Sequence, residues 1–342
     1  MEHSLASIAK RAGVSVATVS LAIRGKGLVA RETAARIKKI ADEMGYRPNP
    51  LLASLATKRF RSAKSAVGTP LAIFTFPGLA EDSGTDSGML YVDDLVRGAI
   101  KLGYSPKVYN QASADNSSRL FRELYHSMVQ GIIILGSMDM SRFGPAFDWS
   151  QFSVVVCGRY RAALPFHTVR TNIFKSVKLA FSELQARGYR RIGFAMGTHG
   201  QAMEDDEARH GAAVAMEYSY LPKRDRLPVY LGAFKDVDAL SGWVEKNKPD
   251  AVIGFAVGQY WLLRNHGYRI PEDFGFASMH IPIKEHRKYC SGLNQNTEEI
   301  ARQSVLLLDQ LIRNRERGLP QDPLDVLVSS IWNEGITLRP RL

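Results

Sequence analysis

Of the 45 lysines and arginines in this chain of 342 residues, 13 fall within residues 1–64, where only 4 aspartates and glutamates oppose them. The rest of the chain is nearly balanced, with 32 basic against 30 acidic side chains, so most of the formal charge of +11 sits in the first fifth. Clustered ammonium and guanidinium groups displace counterions from a polyanion, and a patterned basic head on a near-neutral body points to a polyanion-binding module attached to something else. Groups able to act as nucleophiles or metal ligands are sparse by contrast. The 8 histidines are scattered. His199, His210 and His280 share no short motif, and His280 reads as a ligand contact or a satisfied interior group. Cys157 and Cys290 are too few for a disulfide framework or a structural zinc site, and they suit a reducing compartment. Cys157 ends an apolar run and reads as packing. Walker loop, G-x-S-x-G elbow, H-E-x-x-H helix and G-x-G-x-x-G fingerprint are all missing from the sequence. The residues argue against an enzyme.

Folded elements must position that basic head, and the composition supplies them. At 45% hydrophobic and 23% charged residues the chain is globular rather than disordered, and its length calls for two or three domains. No apolar run reaches the roughly 18 residues of a membrane span. The opening MEHSLASIAKRAGVS lacks an apolar secretion core, so a soluble, cytoplasmic, nucleoid-associated protein is expected. Leu5, Ile8, Ala9 and Ala12 recur at i, i+3, i+4 and i+7, one face of a short helix. Gly13 breaks it, and Ser15 stands as N-cap of a second helix. There Val19 and Ile23, with Ala22 beside them, form the inward stripe; Ala17, Leu21 and Arg24 form another, with Val16 at the exposed start. A third helix over about 31–44 places Ala34, Ile37, Ala41 and Met44 on one face, with Gly45 as its C′ residue. Helix, short turn, helix is the helix-turn-helix pattern, whose second helix enters the major groove by its N-terminal residues.

The stretch SLASIAKRAGVSVATVSLAIRGKGLVARETAARIKKIADEMGYRPNPLLASLATKR resembles the head of the lactose/galactose repressor (LacI/GalR) family. Its most specific pieces are Ile8-Ala9-Lys10, Ala12-Gly13-Val14-Ser15, Ala17-Thr18-Val19-Ser20 and Gly45-Tyr46-Arg47-Pro48-Asn49. The resemblance implies a transcriptional regulator, in the usual case a repressor. Such a protein binds a pseudo-palindromic double-stranded operator as a homodimer under the control of a small-molecule effector, without catalytic residues or a cofactor. Carried over by position, Val16 and Ala17 would face base edges, and Ser4, Ser15, Thr18, Ser20 and Arg31 would contact phosphates. Leu21 stands where many members carry arginine or histidine; it offers apolar contact, for example to a thymine methyl, in place of bidentate guanine reading. Arg24 stands where most members have asparagine. The segment NPLLASLATK suits a short helix with Asn49 as cap and Pro50 at its first position, too short to persist alone in water. Leu51, Leu52 and Leu55 are then a dimer seam or a surface awaiting a partner. In the family, paired hinge helices fold on DNA and push a leucine into the minor groove, a position Leu55 holds here.

From Thr69 onward, apolar runs alternate with helical patterns. The strand candidates are PLAIFTF (70–76), GIIILGS (131–137), FSVVVCG (152–158), RIGFAMG (191–197), AVIGFAV (251–257) and FGFASM (274–279). Unbroken runs suit buried parallel strands, and their alternation with helices gives doubly wound α/β units. The expected architecture is an all-α helix-turn-helix DNA-binding head (1–48), a hinge (49–66) and an α/β two-lobe core (67–342) with doubly wound parallel sheets. Through Leu184, Gly188-Tyr189-Arg190-Arg191-Ile192 and Ile270-Pro271-Glu272-Asp273 this half resembles the family's periplasmic-binding-protein-like core. Three crossings between lobes then imply lobe 1 at about 67–165 plus 285–325 and lobe 2 at about 166–284 plus 326–342. A ligand in such a core lies between the lobes at the carboxyl ends of the strands. The expected effector lining is Phe76, Asp86, Ser137, Arg159, Asn172, Phe174, Lys178, Gln259, Trp261 and His280. Asn172 and Lys178 match positions where many members carry aspartate or asparagine, and arginine. The family's Asn-Asp pair is absent from GFAVGQYW, and its later Gly-Phe-Asp-Asp pattern reads Ser278-Met279-His280-Ile281. A sugar needs acceptors for vicinal hydroxyls, so the effector, sugar or other metabolite, stays unassigned. A DNA-bending architectural regulator with a degenerate, ligand-free core remains the alternative.

Overall fold

Successive side chains of a strand point to opposite faces of its sheet, and a sheet covered on both faces therefore needs unbroken apolar runs. The computed structural model describes residues 5–23, 29–44, 68–75, 87–110, 116–135, 143–145, 147–158, 164–198, 204–233, 235–281 and 284–340. The chain divides into two units, Met1–Ala66 and Val67–Leu342.

The first unit holds α1 (Leu5–Ala12), α2 (Val16–Ile23) and α3 (Arg31–Glu43). Ile8, Ala9 and Ala12 of α1 are buried with Val19 and Ala22 of α2 and with Ile37 and Ala41 of α3, the stripes that the periodicity predicts. The carboxyl end of α1 is satisfied from outside: Arg36 Nη2 donates to the Ala12 carbonyl (3.2 Å). The Val14 amide turns back to the Ala9 carbonyl (3.1 Å), a closure that Gly13 allows with φ of +67°. The expected hinge (49–66) and Gly45 lie outside the described residues.

In the second unit the chain runs β1 (Thr69–Thr75), α4 (Ser87–Lys101), β2 (Tyr104–Asn110), α5 (Ser117–His126), β3 (Gly131–Leu135), β4 (Ser153–Cys157), β5 (His167–Thr171) and α6 (Ile173–Gln185). It continues through β6 (Ile192–Ala195), α7 (Glu204–Tyr220), α8 (Val237–Asn247), β7 (Ala251–Gly254), α9 (Val257–Asn265), β8 (Gly275–Ser278) and β9 (Gly292–Asn294). Last come α10 (Thr297–Asn314), β10 (Asp325–Val328) and β11 (Ile331–Asn333). One sheet has the order β10-β5-β4-β3-β1-β2 and is parallel throughout; the other has the order β11-β9-β8-β7-β6, with β11 antiparallel to β9. In β3, Ile133 and Leu135 meet Leu95 of α4 and Val305 and Leu308 of α10, while Ile132 and Ile134 meet Leu124 of α5 and the rings of Phe143, Phe147 and Phe152. The second sheet is covered likewise by α6 and α7 on one face and by α8 and α9 on the other.

The sheet memberships correct the expected lobe boundaries. The first sheet keeps β5 and β10, so the breaks expected at 165/166 and 325/326 move to just after Thr171 and just after Val328. The second sheet keeps β9, so the break expected at 284/285 moves to just after Asn294. Pairing is the reason. Strand β5 lies between β4 and β10, with Val155 opposite His167 and Asp325 opposite Thr168, and its polar sequence HTVRT gives no apolar run to read.

Candidate functional site

In the head, Ser15 launches α2. The Thr18 amide donates to Ser15 Oγ (3.1 Å), and the two hydroxyls share a hydrogen bond (2.8 Å), an N-cap that fixes the first helical turn. Val16 projects from that turn 46% exposed, while Val19 and Ala22 hold the other side of α2 in the core. Thr18 and Leu21 are half-buried. A helix start that offers an apolar side chain flanked by hydroxyls suits contact with a base-pair methyl group and neighbouring phosphate oxygens. Ala17 and Ser20 lie on α2, and Arg31 opens α3. Ser4, Arg24, Asn49, Leu52 and Leu55 lie outside the described residues.

In the core, Asn172 follows β5 and caps α6, its Oδ1 accepting from the Lys175 amide (3.0 Å). Phe174 is half exposed, and Lys178 one turn on carries its ammonium over the Tyr220 ring (5.7 Å). Lys178 also lines an open depression of about 300 Å³ with Lys175, Leu179, Ser182, Ser329 and Ser330. Gln259 is buried and its Oε1 accepts from the Phe255 amide (2.7 Å), so its carboxamide serves the turn between β7 and α9. Trp261 belongs to an aromatic group with Tyr260 and Tyr289, donating Nε1–H to the Tyr289 hydroxyl (3.2 Å). His280, buried just after β8, lies parallel to the Phe255 ring at 6.5 Å, and its amide donates to Ser278 Oγ (3.2 Å). Phe76, Asp86, Ser137 and Arg159 lie outside the described residues.

Near His280 the structure assembles charges that the sequence reading passed over. The guanidinium of Arg209 in α7 covers the Phe255 ring (4.3 Å) and pairs with Asp206. Asp205 beside it meets Arg170 of β5 at 3.4 Å. Arg170 in turn grips Asp325 of β10, with Nε 3.0 Å from both carboxylate oxygens and Nη2 2.6 Å from one. Burial works to raise the Asp325 pKa, but hydrogen bonds from Arg170 and the Thr168 hydroxyl outweigh it and hold the carboxyl below its ordinary value. The available signal was the i, i+3 spacing of Asp206 and Arg209 in EDDEAR, a pattern that solvated helix faces also show. Forked donors, carboxylate acceptors and an aromatic face together can hold a polar ligand that has an apolar side.

Burial pushes both thiols, Cys157 and Cys290, up to about 12, which leaves them without nucleophilic character. Among the described residues no group of three or more His, Cys, Asp or Glu side chains could hold a metal ion. No described helix is long and apolar enough to cross a membrane.

Comparison with known proteins matches residues 4–49 to the family model of bacterial regulatory proteins, lacI family, and residues 181–328 to that of a periplasmic binding protein-like domain. Residues 4–49 thus carry the match to the lacI family, and residues 181–328 the match to the periplasmic binding protein-like domain. Members of the lacI family are DNA-binding transcription regulators with an effector domain, not enzymes. Among curated relatives, catabolite control protein A of Staphylococcus aureus is 23% identical over 288 residues, covering 81% of this chain and 82% of that one. The Staphylococcus epidermidis protein of the same name is 23% identical over 332 residues, covering 92% and 94%. The fold is shared with the transcriptional regulator CelR–cellobiose complex (TM-score 0.59, 21% identity, 97% and 99% covered). It is also shared with the lac repressor dimer bound to operator and the anti-inducer ONPF (TM-score 0.57, 17% identity, 98% of each chain). The first match contains α1, α2 and α3, and the second contains Asp205, Asp206, Arg209, Gln259, Trp261, His280 and Asp325.

Proposed function

We propose that the protein represses transcription as a homodimer on a pseudo-palindromic operator, and that a small molecule held between the lobes of its core sets its DNA affinity. The observation that carries this reading is the presentation of α2: capped by Ser15, anchored by Val19 and Ala22, and open to solvent at Val16. It sits within a segment that holds most of the chain's excess positive charge. In this reading Val16, Ala17 and Leu21 meet base edges, with Arg24 near them, and Ser4, Ser15, Thr18, Ser20 and Arg31 meet phosphates. Asn49, Leu52 and Leu55 form the hinge that enters the minor groove. Two heads on one symmetric dimer read two half-sites, and their linkage multiplies affinity through effective concentration. The effector acts by binding one lobe arrangement better than another. The cellobiose complex that shares this fold supports a sugar or a similarly hydroxylated metabolite. Such a protein works in the cytoplasm, on the nucleoid.

The test is selection from a random DNA pool at about 0.15 M salt, where counterions compete away non-specific phosphate binding. A two-fold symmetric enriched site is expected. Failure to enrich any site, with and without a metabolite extract, would overturn the reading. Enrichment of flexible steps without symmetry would favour the architectural binder.

A further inference from the structure

Three chain crossings join the lobes of the second unit, after Thr171, after Asn294 and after Val328, and such a joint leaves the lobes free to close and open unless something else spans them. Arg170 spans them. Its side chain starts on β5 in the first sheet and is fixed there by Asp325 of β10, which takes Nε–H on both oxygens and Nη2–H on one. Asp325 is itself held by the Thr168 hydroxyl (2.6 Å). A guanidinium forked in this way has little freedom left. Its Nη1 points across to Asp205 Oδ1 (3.4 Å), in the first turn of α7, which packs against the second sheet. The two partners are mostly withdrawn from water, with side-chain exposures of 17% and 11%, so their attraction is screened less than that of a surface pair.

We propose that Arg170 is a latch: Asp325 holds it rigid in one lobe so that its Nη1 engages Asp205 of the other and keeps the lobes closed. The turn of α7 that carries Asp205 also carries Asp206 and, one turn on, Arg209, whose guanidinium covers Phe255 beside His280. A ligand that moves this turn therefore pulls on the latch. Arg170 is a positioning residue in this scheme, and the link to a ligand rests on the effector reading above, whereas the latch itself does not.

The experiment measures lobe separation directly, in the full-length protein without DNA or effector. Spin labels go on cysteines replacing Arg122 of α5 and Glu245 of α8, both exposed, while Cys157 and Cys290 are buried and stay unlabelled. Pulsed dipolar spectroscopy should give a short distance for the parent protein. A longer or broader distribution is expected for Asp205→Asn and for Arg170→Met, and no further change when the two are combined. An unchanged distribution in Asp205→Asn would overturn the latch, whatever happens to thermal stability, because a merely structural ion pair lowers melting without moving the lobes. Arg170→Lys keeps the charge and loses the fork, and should lie between parent and Arg170→Met. If Arg170→Met fails to fold, Asp205→Asn and Arg170→Lys still decide the matter. Since no operator or ligand enters the measurement, failure of the effector reading leaves its outcome untouched.

Discussion

Glu217 stands inside α7 at 4% exposure, among Ala213, Met216 and Leu221 of the second-lobe core. One backbone donor, the Leu227 amide, and the nearby Arg226 favour its charged form, but desolvation outweighs them and pushes the carboxyl from 4.5 up to about 7. Its Oε1 has no hydrogen-bond partner among the described residues. The unfolded chain gives up this proton near pH 4.5 and the folded chain only near 7, so between those values the native state holds more protons than the unfolded state. Stability therefore falls as pH rises through that window and is flat above it. At about 1.4 kcal/mol per pH unit, the penalty at pH 8 is roughly 3 kcal/mol. Glu217→Gln keeps the shape and removes the charge. It should raise the melting temperature of the core by about 6–12 °C at pH 8, taking 2–4 °C per kcal/mol for a domain of this size, and by little at pH 4.5. Scanning calorimetry at the two pH values reads the difference. Equal shifts at both pH values, or none at pH 8, would show that Glu217 is not a buried carboxylate held against its solvation.

Three further outcomes follow from the geometry. Burial lowers the pKa of His167 against a smaller opposing effect of Glu316, and its Nδ1 accepts the Leu324 amide (3.0 Å). The unfolded chain thus takes up that proton first, stability falls as pH drops below about 6.5, and His167→Asn should flatten this acid limb in melts taken from pH 7 to 5; an unaltered limb would exonerate His167. Gly292 has φ of +145°, and a Cβ there would sit 2.1 Å from the Ser278 carbonyl oxygen. Gly292→Ala should cost more than about 3 kcal/mol, and a variant that melts within 2–3 °C of the parent would contradict the pairing of β8 with β9. Leu21→Arg should draw guanine into the enriched half-site, since arginine reads its O6 and N7 bidentately; an unchanged consensus would remove Leu21 from the base-reading set.

Much of this architecture was legible because long, doubly covered strands and short amphipathic helices print their periods on the sequence. The stripe of Ile8, Ala9, Ala12, Val19, Ala22, Ile37 and Ala41 is both the predicted and the observed core of the head. Likewise β3, β4, β6, β7 and β8 fall within the apolar runs read as strands, and β1 overlaps the run 70–76 but starts one residue earlier, at Thr69. What stayed hidden was short or polar. Strands β5, β9, β10 and β11 are held by pairing rather than by side-chain burial alone, and β10 exposes Asp325 and Leu327. Helix α7 carries its acids in a run that looks solvated, yet Asp205 and Asp206 are both buried. Their partners come from residues 35 positions earlier and 3 later, and only the second distance is visible in sequence. The effector lining was transferred by position alone, which says nothing of where Lys178 or Gln259 turns its side chain.

The crossing pattern also dictates the order in which this protein can be finished as it is made. Helix α10, with Ile300, Ala301, Val305 and Leu308 in the core of the first lobe, leaves the ribosome only after β6, β7, β8 and β9 of the second lobe, and β10 follows later still. At about 5–20 residues per second, the first sheet waits roughly 8–30 s between β5 and the strand that closes its edge. The three-helix head draws its core from residues 8–41 alone and carries no such debt. Nascent chains stalled short of residue 325 should therefore present a competent head on a body whose first sheet still lacks an edge, the state in which chaperones have most to protect.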